Sequence, residues 1–471
     1  MKNCHLAVDI GASSGRHIVG WTENGTIRLK EIYRFENGVR RVNGHLCWDL
    51  AGLAESVIEG IAECKRQGFE PETMGIDTWA VDFVLLDKDG QILGDTVAYR
   101  DERTDGIREE LEQSGLLSFD EHYARTGIQF QKFNTIYQLM ALKKEHPGYL
   151  EAAVDFLMVP DYLHYLLTGK KANEYTNAST TALVNAESKE WDEELIRRLG
   201  LPEYIFREIA LPGTALGHFT PAIKERTGLD PMVVLPATHD TGSAYLAVPA
   251  KDDNAVFLSS GTWSLVGVEN KAPITTPESC AANFTNEGGY DYRFRYLKNI
   301  MGLWIIQNVR RNIEPKPSFP ELIEAARGAE GFKAILDVDE NRFLAPDNMM
   351  QEIKDACRDN GLPVPQTVGE VMQVIYQSLS DDYRRTVETL SGLTGKTYTS
   401  LNIVGGGCQD MMLNQMTANA TGLPVYAGPV EGTALGNLIV QFLYSGEFAD
   451  LQAARDAIRV SFEIKEILPE R

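Results

Sequence analysis

Cysteine is scarce in this 471-residue chain: Cys4, Cys47, Cys64, Cys280, Cys357 and Cys408 are scattered, with no CxxC pair. No His/Cys cluster has zinc-like spacing, and the scatter predicts free thiols in a reducing cytosol rather than a disulfide framework. Long apolar runs are missing as well. The stretch at the N-terminus is interrupted by Asp9, so neither a secretory signal nor a membrane span is expected, and a cytoplasmic protein is. Positive charge is in deficit, with 45 Lys+Arg against 67 Asp+Glu and a formal net charge of −22. Such a field repels nucleic acid and anionic lipid and excludes polyanion partners. A small anion such as ATP is not excluded, because amide nests and helix N-termini bind phosphate inside acidic proteins.

With 43% hydrophobic and 24% charged residues the chain is globular. Its length exceeds what one core serves, so two domains are expected. The polar stretch "LAVPAKDDNA", around 246–255, places their junction, giving domains over 1–246 and 247–471. Three segments share one outline, an apolar strand running into small residues. "HLAVDIGASSGRHIVGW" (5–21) and "AVFLSSGTWSLVGV" (255–268) read as strand, turn and strand. "SLNIVGGGCQDMMLNQMTANATG" (400–422) reads as strand, triple glycine and a helix ending at Gly422. The two hairpins fall in opposite halves, which hints at an internal duplication. Helical spacing recurs over 53–68, 134–146, 299–313 and 368–395, and short strands such as those of "MGIDTWAVDFVLLD" (74–87) alternate with it. The class is α/β.

"DIGASSGR" (9–16) sets an acid at a strand end before two glycines, two serines and an arginine. Its N–H groups and hydroxyls suit phosphate oxygens and Asp9 suits Mg²⁺; an ordinary hairpin turn explains the same letters equally well. "SSGTWS" (259–264) repeats the pattern, against the alternative of a turn with Trp263 in the core. "VGGGCQ" (404–409) has more glycines than packing asks for, which points to close approach of a flat ligand such as a nucleoside; a flexible loop is the alternative. Asp77, Trp79 and Asp82 offer carboxylates and an indole for a sugar, although core packing accounts for Trp79. "AYRDERT" (98–104) reads as a surface ion-pair cluster.

The segment "MVVLPATHDTGSA" (232–244) carries a buried strand into His239 and Asp240, followed by small residues. An acid placed there fits a general base that accepts a hydroxyl proton during phosphoryl transfer. It equally fits an N-cap of a helix starting in "HDTGSA".

Taken in order, "VDIGASSGR", "GIDTWAVDFVLLD", "AYRDERT", "GIQFQKFNTIYQL", "MVPDYLHYLLTGK", "EYTNASTTALVN", "THDTGSA", "LSSGTWSL", "NEGG", "LKNIMGLWIIQ", "IVGGGCQ" and "AGPVEGTALGN" resemble the FGGY family of carbohydrate kinases over nearly the whole chain. The resemblance implies the actin-like ATPase (ribonuclease H-like) fold, with two domains flanking a nucleotide/sugar cleft. It also implies ATP and Mg²⁺ as cofactors. "LKNIMGLW", "TNAST" and "GIQF" lean toward members acting on L-rhamnulose at its O1 hydroxyl; another ketose or polyol, such as fuculose or xylulose, is the alternative. An actin-like ATP-driven switch is the non-enzymatic one. By resemblance Asp240 is the base, and His239, Asp240, Thr241, Asn299, Ala80 and Asp82 face the sugar. Ala12, Ser13, Ser14, Gly15 and Arg16, with Thr262, Gln307, Gly405, Gly406 and Gly407, face ATP, and Asp9 faces the metal. Ala80 stands where the family pattern has glycine. Oligomeric state is not legible in the sequence.

Overall fold

Alternation of side chains along a strand decides what each face of the first sheet does. The structure, a computed structural model, describes residues 4–344 and 346–470. Strand β1 (His5–Ile10) is wholly buried. Leu6, Val8 and Ile10 point into a core completed by Leu53, Val57 and Ile61 of helix Leu50–Arg66. His5 and Asp9 therefore fall on the opposite face. β2 (Ser14–Glu23) and β3 (Thr26–Glu36) continue as an antiparallel meander. β4 (Thr73–Thr78) lies parallel to β1 on its other side. β5 (Ala215–Gly217) and β6 (Met232–Val234) complete the order β5-β6-β4-β1-β2-β3, with β6 parallel to β4 and antiparallel to β5.

A second sheet is built on the same plan. β7 (Ala255–Ser260) and β8 (Trp263–Asn270) form an antiparallel hairpin. β9 (Phe294–Met301) neighbours β8, and β10 (Ser400–Val404) runs parallel to β7. β11 (Val425–Ala427) is parallel to β10, and β12 (Lys465–Ile467) antiparallel to β11. The pairing sequence of β12-β11-β10-β7-β8 repeats that of β5-β6-β4-β1-β2, which gives the duplication read from the hairpins a structural counterpart.

A single division at 246/247 was the expectation; each compact unit instead draws on several chain segments. The first comprises Met1–Ala247, Glu269–Tyr296 and Gly432–Ser461; the second comprises Val248–Val268, Leu297–Glu431 and Phe462–Arg471. The six cysteines are free. The helix expected over 299–313 is shorter. Asn299–Met301 end β9, and the helix spans Trp304–Arg311. Gly302 makes the break. A Cβ there would come within 2.7 Å of the Ser264 amide, and the next residues are pinned by Leu303 N–H to Gly261 O and Trp304 N–H to Thr262 O at 3.1 and 3.0 Å. No helix among the described residues is long and apolar enough to cross a membrane.

Candidate active site

Three adjacent strands of the first unit place a row of charged side chains on one face. Asp9 pairs in register with Arg16 on β2 and with Asp77 on β4. Arg16 donates from Nε and Nη2 to a single oxygen, Asp9 Oδ2, at 3.0 and 2.8 Å. Asp77 is fully buried. Its Oδ2 accepts from Asn437 Nδ2 at 2.6 Å, and its Oδ1 has no hydrogen-bond partner. Burial first, and then the negative charge of Asp9, hold its pKa well above the ordinary carboxylate range. Asp77 thus belongs to the framework beneath the row, not to a surface that meets sugar hydroxyls. Helix Gly432–Ser445 supplies Asn437, and that helix sits hard against helix Asp240–Leu246: a Cβ on Gly436 would collide with Ser243 O.

The strand β6 ends in the segment that carries His239 and Asp240. Thr78 N–H donates to Thr238 O at 2.9 Å, extending the parallel pairing to the start of the helix. His239 takes the N-cap position, and Asp240 is the first helical residue. This corrects the expectation that Asp240 caps the helix. Its Oδ1 instead accepts from Thr241 N and Thr241 Oγ1 at 2.6 and 3.2 Å. Burial, then repulsion from Asp9, push the Asp240 carboxyl up to about 7. The side chain is still 32% exposed, so a substrate proton can reach it, and solvent moderates what burial does. A carboxylate in this state is suited to taking a proton near neutral pH.

Residues that the sequence did not single out hold this segment in place. Glu174 accepts from Thr238 N and Oγ1 at 3.0 and 2.7 Å, and from Thr176 N and Oγ1 at 2.9 and 2.6 Å. Those bonds tie "EYTNAST" to "ATHDT". Arg295, 1% exposed, pairs with Glu287 at 2.9 Å and donates to Gly288 O at 2.9 Å and to His239 Nδ1 at 3.0 Å. Burial and then the Arg295 charge push the His239 pKa well below its ordinary value, so the ring is neutral. An arginine inside the apolar strand "FRYLKNIM" was the one signal available.

Asp82 is not placed to meet a sugar. It is 1% exposed, and its carboxylate accepts from Trp48 Nε1 (2.6 Å), Trp79 Nε1 (2.9 Å), Gln138 Nε2 (3.0 Å) and the Tyr99 amide (3.1 Å). It fixes two indoles whose ring centroids lie 4.1 Å apart. The half-buried Ala80 is beside them, followed by Val81 at φ 68°. A β-branched residue in that region is strained. The strain is held by the Asp82 N–H to Ala80 O bond (2.9 Å) and by Thr135 Oγ1 donating to Val81 O (2.7 Å).

In the first unit Ala12, Ser13 and Ser14 form the β1–β2 turn, closed by Gly11 N–H to Ser14 O at 2.9 Å; Ser13 is exposed. Gly15 lies under the Phe35 ring, leaving no room for a Cβ. The second unit gathers its own set. Thr262 sits in the β7–β8 turn next to the glycine loop that follows β10, since β7 and β10 pair through Ser259 and Val404. Gln307 lies on the helix pinned to that turn, and half-buried Asn299 on β9. The glycines separate into two kinds. Gly405 has φ +85° and Gly407 abuts Ser260 Oγ, whereas Gly406 faces open space. Backbone conformation and packing therefore account for two of the three, and Gly406 is the one beyond what packing asks for.

Mg²⁺ asks for one or two protein carboxylates, with phosphate oxygens and water filling the rest. Asp9, with both arginine bonds on one oxygen, fits that demand. No group of three His, Cys, Asp or Glu side chains among the described residues could hold a metal alone.

Comparison with known proteins bears on these arrangements. Residues 4–247 match the FGGY family of carbohydrate kinases, N-terminal domain, and residues 256–444 match its C-terminal domain. A rhamnulokinase of Halalkalibacterium halodurans is 51% identical over 463 residues, covering 98% of this chain and 98% of the relative. Rhamnulokinases of Oceanobacillus iheyensis (48%; 98% of each chain) and Bacteroides thetaiotaomicron (44%; 100% and 96%) are similar. Among solved structures, ligand-bound xylulose kinase from Lactobacillus acidophilus superposes with a TM-score of 0.81 at 18% identity, covering 99% of this chain and 94% of that one. Plasmodium falciparum glycerol kinase with ADP gives 0.79 at 14%, covering 100% and 95%. At those identities the structures establish a shared fold.

Proposed function

Because this chain belongs to the FGGY family of carbohydrate kinases, we propose that it transfers the γ-phosphoryl group of ATP to the O1 hydroxyl of L-rhamnulose, yielding L-rhamnulose 1-phosphate and ADP. Sugar kinases of this family use ATP. The observation that carries the assignment is Asp240, raised to about 7 and set beside a neutral His239, in a chain 44–51% identical to rhamnulokinases across its length.

Asp240 takes the O1 proton as that oxygen attacks phosphorus; the new O–P bond forms as the bond to the ADP oxygen breaks. His239, Thr241, Ala80 and Asn299 hold the sugar, with Asp82 acting one layer below through Trp79. Ala12 to Arg16 and Thr262 grip the phosphates, and Gln307 with Gly405, Gly406 and Gly407 lines the nucleotide. Asp9 holds Mg²⁺, which when bound neutralises phosphate charge. Chain segment 1–246 carries the first phosphate loop, the base and most of the sugar-binding residues, and 247–471 the second loop and the nucleotide-binding residues, with Glu269–Tyr296 and Gly432–Ser461 folded into the first compact unit. The enzyme works in the cytoplasm, where ATP is supplied.

An ADP-release assay over L-rhamnulose, L-fuculose, D-xylulose and glycerol tests the assignment, with ³¹P spectra of the product fixing the position. L-Rhamnulose is expected to give the highest kcat/KM. A higher value for another acceptor would reassign the substrate, and sugar-independent ATP hydrolysis would favour a switch.

A further inference from the structure

The buried chain Glu287–Arg295–His239–Asp240 lies within the first unit and does more than fill space. A guanidinium has donors only. Arg295 Nη2, 3.0 Å from His239 Nδ1, therefore requires that nitrogen to accept. Glu287 Oε2 stands farther from it, at 3.5 Å. The single ring proton is then on Nε2, which faces Asp240 Oδ1 at 3.4 Å. That distance is too long for a hydrogen bond, so the ring N–H bears on Asp240 electrostatically, beside the oxygen already taking two bonds from Thr241. Both Thr241 bonds and the nearest approach of the ring N–H are to Oδ1, not Oδ2.

We propose that Arg295 is a positioning residue for phosphoryl transfer: it fixes His239 in the Nε2–H tautomer, which turns Asp240 so that Oδ2 alone is left to receive the substrate proton. Glu287 holds the guanidinium in place for that task. The proposal rests on Asp240 being the base, and its test separates the two readings. His239 meets Asp240, Glu287 and Arg295; Asp240 is further acted on by Asp9 and Asp77.

Long-range ¹H–¹⁵N spectra of the protein labelled at its eight histidines read the tautomer without turnover, with His239 assigned by loss of its signals in His239→Gln. The expected result is one neutral Nε2–H form from about pH 6 to 8, around the usual histidine titration range. An Nδ1–H form or a charged ring would overturn the proposal. The double variant Glu287→Gln/Arg295→Met removes both charges together, so neither is stranded in the interior. It should lower kcat about 10–100-fold, the scale of a small misplacement of a reacting group, and leave KM for ATP within about twofold. Its acid limb of kcat/KM should move to higher pH, because Arg295 now lowers the Asp240 pKa. A lower active fraction with an unmoved limb would mean that the pair only supports the fold, and would refute the positioning role. Should the double variant not fold, the wild-type spectra still decide. Loss of turnover in Asp240→Asn reports on the base alone.

Discussion

Asn437 donates a 2.6 Å hydrogen bond to Asp77, joining side chains 360 positions apart in the chain. The bond continues through a buried polar line. Gln441 Nε2 donates to Asn437 Oδ1 at 2.7 Å, and Thr73 Oγ1 donates to Gln441 Oε1 at 2.6 Å. His5 Nδ1 meets Thr73 Oγ1 at 2.7 Å, and His5 Nε2 meets Glu447 at 2.5 Å. Removing the donor with Asn437→Ala leaves both Asp77 oxygens unpartnered, which should cost about 1–3 kcal/mol. Chemical denaturation monitored by circular dichroism checks this; unchanged stability would show that water replaces the amide.

Asp240→Asn is expected to keep ATP binding and lower kcat about 10²–10⁴-fold, the range for a lost general base. In the wild type, kcat/KM should fall as pH drops through about 7, as the base becomes protonated. Stability runs the other way. The folded pKa lies above that of an unfolded aspartate, about 3.9. Asp240 therefore contributes stability that is full below about pH 4 and is lost as pH rises through about 7. Asp240→Asn should accordingly raise Tm by a few degrees at about pH 8 and by less at about pH 5. Equal shifts at both values would contradict the raised pKa.

Asp82→Ala should destabilise the protein by about 3–5 kcal/mol, because four donors lose their acceptor at a buried site. A sugar contact would predict the reverse pattern, a raised KM for the ketose with normal stability. Thermal unfolding beside Michaelis–Menten analysis separates the two.

The triple glycine gives a matched pair. Gly406→Ala adds a methyl to open space and should leave Tm within about 1 °C while raising KM for ATP severalfold. Gly407→Ala drives a methyl into Ser260 and should cost about 1–3 kcal/mol by overpacking. If both variants bind ATP normally, the loop is not on the nucleotide.

Strands, turns and the strand end that carries His239 and Asp240 were legible because they are local: an apolar run before small residues says strand and turn wherever it occurs. The supports were not. Arg295 and Asn437 act through His239 and Asp77, more than fifty residues away, and Glu287 acts through Arg295; nothing in their neighbours' letters names those partners. Glu174 stands out in the sequence only as the first letter of "EYTNAST", although it anchors the strand end before His239. Asp82 was misread for a related reason. A carboxylate among β-formers suits a sugar hydroxyl and an indole N–H alike, and only burial shows which it meets. The length of the 299–313 helix failed because the periodicity of "NIMGLW" did not reveal that Gly302 must lie flat against Ser264.

The left-handed Val81 has a thermodynamic consequence for whatever Ala80 touches. A residue held there costs roughly 1–3 kcal/mol, so the backbone of 79–82 would relax elsewhere if its restraints allowed. Thr135, Gln138 and the Asp82 amide forbid that relaxation. A ligand docking on this loop would therefore meet a fixed template rather than a pliable one. Little conformational entropy is left there to lose on binding, and little compliance is available to forgive a substituent of the wrong shape.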